Sequence, residues 1–326
     1  MPLSVEVHVP ISPGNRFLTM LRYLTESLLA NGGFPGAVKI VVWVSPDAPY
    51  RDLAAEQAWA RRLDLEWRWV NPELFREHGY AATGTLVRLA GPFEADLVLL
   101  LDADVLVSGS LAAVIEDAWE HQRLLGTIAH LSPFSFGLEP PLPNEPSWRR
   151  LFDAAGLPPP QLCCQHSMWP LYAGLPRLVG DPEYRYCPPY FNFGFILAPR
   201  AQMQTLGATI ERDVAAANQV FSTLFRGQLA LTLALSRHRV AWRALGLEYN
   251  FPCTKPPAVF DEGTFERLDE VRVWHYIDDA EISKYRDFEG PETVGRILQR
   301  SDLNPLLAAF QRQLARVHER IIGEGA

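Results

Sequence analysis

The sequence predicts an α/β protein: a Rossmann-like, mixed but mostly parallel sheet flanked by helices, with a proline-rich insertion and a C-terminal helix. Three observations predict it. Through the first hundred residues, short β-branched runs alternate with helical stretches, which is the pattern of a doubly wound sheet. Residues 96–101 are an aspartate followed by an unbroken Leu/Val run, as a strand covered on both faces requires. Near the end, Leu303, Leu307, Phe310, Leu314, Val317 and Ile321 step by four and three residues, which places them on one helix face.

Residues 4–10 read as the first strand. Phe17, Leu21, Leu24 and Leu28 then recur at helical spacing, and Asn31-Gly32-Gly33 supplies the stop. A strand at 38–44, a helix near 53–62, a strand at 65–70 and a segment around 85–89 lead to the strand at 96–101. Between Pro133 and Pro189 lie 13 of the 27 prolines, with Trp148, Trp169 and three of the four cysteines, and regular periodicity is lost. The aromatic and cysteine content argues for a folded insertion rather than a linker. Beyond it, 191–197 is a strand, 201–236 is largely helical, and 239–245 and 271–276 are further strands. The chain divides as one domain over 1–300, in stretches 1–129, 130–189 and 190–290, followed by the C-terminal helix at 301–326. The stripe of that helix either packs on its own domain or forms a homodimer seam.

At 326 residues, 48% hydrophobic and 21% charged, the composition is that of an ordinary globular protein. No apolar run approaches the roughly 20 residues of a membrane span. The formal net charge is −8, and the basic side is arginine apart from Lys39, Lys255 and Lys284, with no block longer than an Arg pair. Nucleic-acid partners are therefore not expected, because affinity for a phosphate backbone needs clustered cations. The N-terminus lacks a basic segment followed by an apolar one, so a cytoplasmic protein is expected. Cys163, Cys164, Cys187 and Cys253 have neither metal-ligand spacing nor scaffold density, and read as reduced thiols.

Asp102 and Asp104 stand at i and i+2 directly after the buried strand. In an extended chain both point the same way. Ligands of open α/β sheets bind beyond the carboxyl ends of strands, and two carboxylates there repel unless a cation lies between them. A hard divalent ion bridging to phosphate oxygens satisfies that geometry.

With its surroundings, this D-x-D resembles that of the sugar-nucleotide-dependent glycosyltransferases of the GT-A fold, most closely glycosyltransferase family 8. Residues 95–111 resemble that family's strand, D-x-D and helix start, and Tyr190-Phe191-Asn192-Phe193-Gly194 resembles its F-N-x-G segment. Leu86-Val87-Arg88-Leu89 is similar to the basic segment upstream, 244–251 to an L-P-x-x-x-N stretch, and Val273-Trp274-His275-Tyr276 to the late strand whose histidine completes a metal site. The resemblance implies that Asp102, Asp104 and His275 bind Mn2+ or Mg2+, manganese being favoured because imidazole suits a transition ion. It implies that Arg88 and Lys284 approach the donor phosphates of a UDP-sugar, that Asn192 and Gly194 line the donor sugar, that Asn250 belongs to the donor-binding set, and that Pro10, Ile11 and Ser12 seat the base. Gln228 would face the reacting carbon; in the stretch that departs from the family's late motif, Asp278 and Asp279 read either as a solvated acidic loop or as an acceptor-activating base, Asp279 being the candidate. On this reading 1–129 is the nucleotide-binding half, 190–290 completes the metal and acceptor site, and the insertion, with Trp148, Trp169 and Tyr190, shapes the acceptor site. A net negative surface favours a soluble acceptor over a lipid one.

Two departures stand out. Gly227-Gln228 occupies the place where the family commonly has Asp-Gln, and Lys284 follows His275 without the family's Pro-Trp. Retention of configuration and the donor sugar are the features this leaves open. The rival readings are a haloacid-dehalogenase-type phosphatase, whose nucleophile strand Leu101–Val105 also resembles, and a catalytically inactive sugar-nucleotide-binding protein.

Overall fold

A computed structural model of the chain describes residues 2–135, 140–169, 182–253, 263, 266–277 and 281–323. The first half supplies strands β1 (Val5–Ile11), β2 (Val38–Val44), β3 (Glu66–Trp69), β4 (Leu97–Leu100), β5 (Val105–Val107) and β6 (Leu124–Ile128). After the insertion, with its short pair β7 (Cys164–Gln165) and β8 (Tyr186–Cys187), come β9 (Phe191–Pro199), β10 (Trp242–Leu245), β11 (Phe251–Pro252) and β12 (Val273–His275). Seven of these form one sheet in the order β10-β6-β9-β4-β1-β2-β3. Its pairs are parallel except that β9 runs antiparallel to both neighbours, β4 and β6. The molecule is thus α/β with a mostly parallel mixed sheet.

The Leu97–Leu100 run is unbroken because both faces of β4 are covered. Leu97 and Leu99 enter one apolar cluster and Val98 and Leu100 a second, and none is more than 1% exposed. The first cluster contains α1 (Asn15–Asn31) and, at the other end of the chain, α10 (Pro305–Gly323). Between these lie α2 (Leu53–Glu56), α3 (Ala58–Arg62), α4 (Pro72–Ala90), α5 (Ala112–Glu120) and α6 (Asn144–Ala154). The second cluster is built from α4, α6, α7 (Arg200–Val220) and α8 (Arg226–His238), and α9 (Pro291–Leu298) precedes the last helix.

Residues 85–89, to which the sequence assigned no element type, are the last turns of α4, whose 19 residues are interrupted at Gly79 by φ 70°, ψ 174°. One alternative is resolved and one expectation is corrected. The C-terminal stripe is used internally: Leu307, Phe310, Leu314, Val317 and Ile321 are all buried, and the Tyr23 hydroxyl meets His318 Nδ1 at 2.6 Å. The stripe is thus accounted for by packing within the chain. Trp148, Trp169 and Tyr190 are buried as well, Trp148 edge-on to Phe134 and Tyr190, so they are core rather than a platform for a sugar ring. Among the described residues no helix is long and apolar enough to cross a membrane.

Candidate functional site

Strand order locates the cleft. The chain runs β1 to β2 to β3 in one direction and then places β4 on the other side of β1. The crevice beyond the carboxyl ends of β1 and β4 is therefore a topological switch point, where open α/β sheets bind ligands. β4 ends at Leu100, and Leu101-Asp102-Ala103-Asp104 turns into β5. β5 belongs to a small sheet ordered β11-β12-β5, in which β12 is antiparallel to β5 with His275 opposite Val105. The Tyr276 N–H donates to the Asp104 carbonyl at 3.0 Å. One strand pair thus joins the acidic turn to a histidine far away in sequence. A donor atom from each of Asp102, Asp104 and His275 lies within 4.8 Å of the others.

Each of the three is held in place. Arg88, on the last turn of α4, donates from Nη1 to Asp102 Oδ1 at 2.9 Å and to the Leu101 carbonyl at 3.2 Å, and from Nε to the Gly84 carbonyl at 3.0 Å. Its guanidinium lies over the Phe193 ring at 4.5 Å. Asp104 receives Lys284 Nζ at Oδ2, 2.5 Å, and has His275 Nε2 at 3.4 Å from Oδ1. Burial works to raise the Asp104 carboxyl, but Lys284 and His275 outweigh it and hold it well below the usual carboxylate range. Asn250 Nδ2 donates to Asn192 Oδ1 at 2.9 Å, which leaves Asn250 Oδ1 to accept His275 Nδ1–H at 2.8 Å. That relay fixes the orientation of the ring and keeps Nε2 toward Asp104.

The glycine of the F-N-x-G segment serves this relay. A Cβ on Gly194 would lie 2.5 Å from Asn250 Oδ1 and 2.6 Å from His275 Nδ1, so any side chain there would push the imidazole away. Gly227 is equally constrained. A Cβ there would lie 1.9 Å from Thr85 Oγ1, so the place of the expected aspartate is filled by the Thr85 side chain.

The cleft has a volume of about 310 Å³. Pro10, Ile11, Trp43 and Tyr80 line it together with the acidic pair, as do Asn192, Gly227 and Gln228. Gln228, in the first turn of α8, makes no side-chain hydrogen bond among the described residues. Lys284 also lines the cleft, on Asp104. Gly194 and Asn250 lie behind the lining rather than in it, and Ser12 is turned away, its hydroxyl donating to Asp47 Oδ2 at 2.5 Å. Asp279, the candidate acceptor base, lies outside the described residues. Thr85, Trp43 and Tyr80 are cleft residues that no motif announced.

The donor set suits a divalent ion that accepts both oxygen and imidazole: two carboxylates and a histidine with its outer nitrogen already hydrogen-bonded. No protein-family model and no curated protein matches this sequence.

Proposed function

We propose that the protein is a metal-dependent glycosyltransferase of the GT-A type, resembling family 8, that moves a hexose from a UDP-sugar to an acceptor hydroxyl. One observation carries the reading: Asp102, Asp104 and His275 converge to within 4.8 Å at the switch point of the sheet, inside a cleft that also holds Arg88 and Lys284. A site that pairs carboxylates with cations beside a concave wall fits a nucleoside diphosphate bound with a divalent ion, Mn2+ before Mg2+.

Asp102, Asp104 and His275 would hold that ion, which supplies charge neutralisation of the departing diphosphate. Arg88 and Lys284 add fixed positive charge on the same side, where negative charge develops as the bond from the anomeric carbon to the diphosphate oxygen breaks. The acceptor oxygen forms the new bond, and its proton passes to the departing diphosphate if configuration is retained. Gln228 presents an amide with free hydrogen-bonding capacity in the first turn of α8, suited to orienting the sugar or the acceptor. Gly227 and Thr85 put a hydroxyl where a carboxylate is expected, and this is the observation that favours the second reading, a sugar-nucleotide-binding protein without transfer.

Calorimetric titration of UDP with and without Mn2+, on wild type and Asp104→Ala, tests the assignment. Metal-dependent binding in wild type, lost by at least about tenfold in the variant, is the expected result. Absence of UDP binding under both conditions rejects the UDP-sugar reading, and binding without hydrolysis or transfer of any UDP-sugar leaves the inactive binding protein.

A further inference from the structure

Both carboxylates of the acidic pair already carry a cation, and the two cations are not equivalent. Arg88 is 4% exposed, donates to two main-chain carbonyls besides Asp102, and is covered by Phe193. It is a fixed part of the wall. Lys284 makes one hydrogen bond among the described residues, to Asp104 Oδ2, and its side chain is 21% exposed in the cleft. Its other contact is with the Tyr285 ring, 5.7 Å away, so an ammonium on a flexible four-carbon stem can leave Asp104 by giving up one hydrogen bond and a loose ring contact.

We propose that Lys284 is a displaceable counter-ion: it occupies Asp104 in the metal-free protein, and a divalent cation bound by Asp102, Asp104 and His275 expels its ammonium into the cleft, where the diphosphate receives it. This rests on the reading of the site as a metal–nucleotide centre. Asp104 faces His275 with one oxygen and Lys284 with the other, so an incoming ion meets an ammonium on the carboxylate it needs. Two cations at contact distance on one carboxylate repel, and the weakly tethered one moves. A diphosphate that draws Lys284 away clears Asp104 for the ion, and an ion that expels Lys284 delivers a positive charge to the diphosphate. The coupling is reciprocal by linkage. The ion alone therefore binds weakly, and the ion with nucleotide binds cooperatively.

The test is titration of the full chain with Mn2+ alone, UDP alone and each in the presence of the other, for wild type, Lys284→Met, Lys284→Gln and Arg16→Met. Arg16 lies over the Tyr285 ring at 5.1 Å and pairs with Glu289, so its removal changes the local field without touching Asp104. Both Lys284 variants should bind Mn2+ alone about tenfold tighter, and the factor by which UDP raises Mn2+ affinity should fall by about tenfold, within the usual range of coupling between sites. Arg16→Met should change each by less than about twofold, the scale of a screened surface charge. Melting curves establish that all four proteins are folded. Unchanged Mn2+ affinity in the Lys284 variants, or an equal gain in Arg16→Met, overturns the counter-ion role and leaves the metal reading standing. Mn2+ binding absent from every protein, with and without UDP, overturns the metal reading itself and this inference with it.

Discussion

Thr85 and Gly227 share one space, and the sharing decides what chemistry the wall of the cleft offers. A Cβ at 227 would lie 1.9 Å from Thr85 Oγ1 and 2.9 Å from its Cβ, and Thr85 is 1% exposed, so it has no solvent to swing into. Gly227→Ala should destabilise the protein by about 1–3 kcal/mol, the range of overpacked cores. Thr85→Ala in the Gly227→Ala background should recover most of that loss, and a double-mutant cycle by urea denaturation measures the coupling. Additive costs would show that the two residues do not compete. The glycine was visible in the sequence as a departure from a motif, whereas its partner was not. Thr85 stands in a helical stretch where nothing local marks it as the residue that excludes a side chain at 227. Asn250 is a similar case: the motif drew attention to it as a donor-binding residue, but its hydrogen bond to His275 depends on a register between β11 and β12 that only the folded sheet reveals.

At the scale of elements, the small sheet that carries His275 is braced by the C-terminal helix. Trp274 and Tyr276, on either side of His275, meet the Phe310 ring at centroid distances of 6.2 Å and 5.3 Å, and Tyr276 stacks on Phe288 at 4.6 Å. Phe310 is wholly buried, so Phe310→Ala should cost about 3–5 kcal/mol in urea denaturation. UDP–Mn2+ binding should also weaken at temperatures where the variant stays folded, since β12 loses its backing; a large stability loss with unchanged binding would show that the brace stops short of the site. The helix itself was legible because its stripe has a clear 3.6-residue period, and the central strands because burial on both faces leaves them Leu/Val-rich. The use of the stripe was not, because a seam within the chain and a seam between chains demand the same residues. Helices α4 and α6 were hidden for local reasons. Gly79 breaks the first with a positive φ, and Pro146 lies in the first turn of the second, where a missing N–H costs no helical hydrogen bond.

For the molecule as a whole, acid sensitivity follows from ionisable groups sealed in different parts of the core. His166 in the insertion is 1% exposed, and burial pushes its pKa down to about 4 although its contact with the Ala129 carbonyl works the other way. His8 in the central sheet is also lowered by burial, against the pull of Glu6. Burial would raise Glu6, but His8 and the Glu94 and Ala95 N–H groups outweigh it and bring it to about 2. The signs agree. A neutral buried histidine takes up its proton only on unfolding between its folded and ordinary values, so the unfolded chain binds more protons there and stability falls as pH drops. For His166 the window runs from 6.5 down to about 4, and a shift of that size corresponds to about 3 kcal/mol. Glu6 adds a second decline from its ordinary 4.5 down to about 2, where the unfolded chain again protonates first. Urea denaturation from pH 7.5 to 3 should therefore show stability falling in two stages. His166→Asn, which keeps an N–H for the Ala129 carbonyl, should flatten the upper stage and leave the lower one. Equal slopes for both proteins between pH 6.5 and 4 would mean that His166 is not the group that titrates.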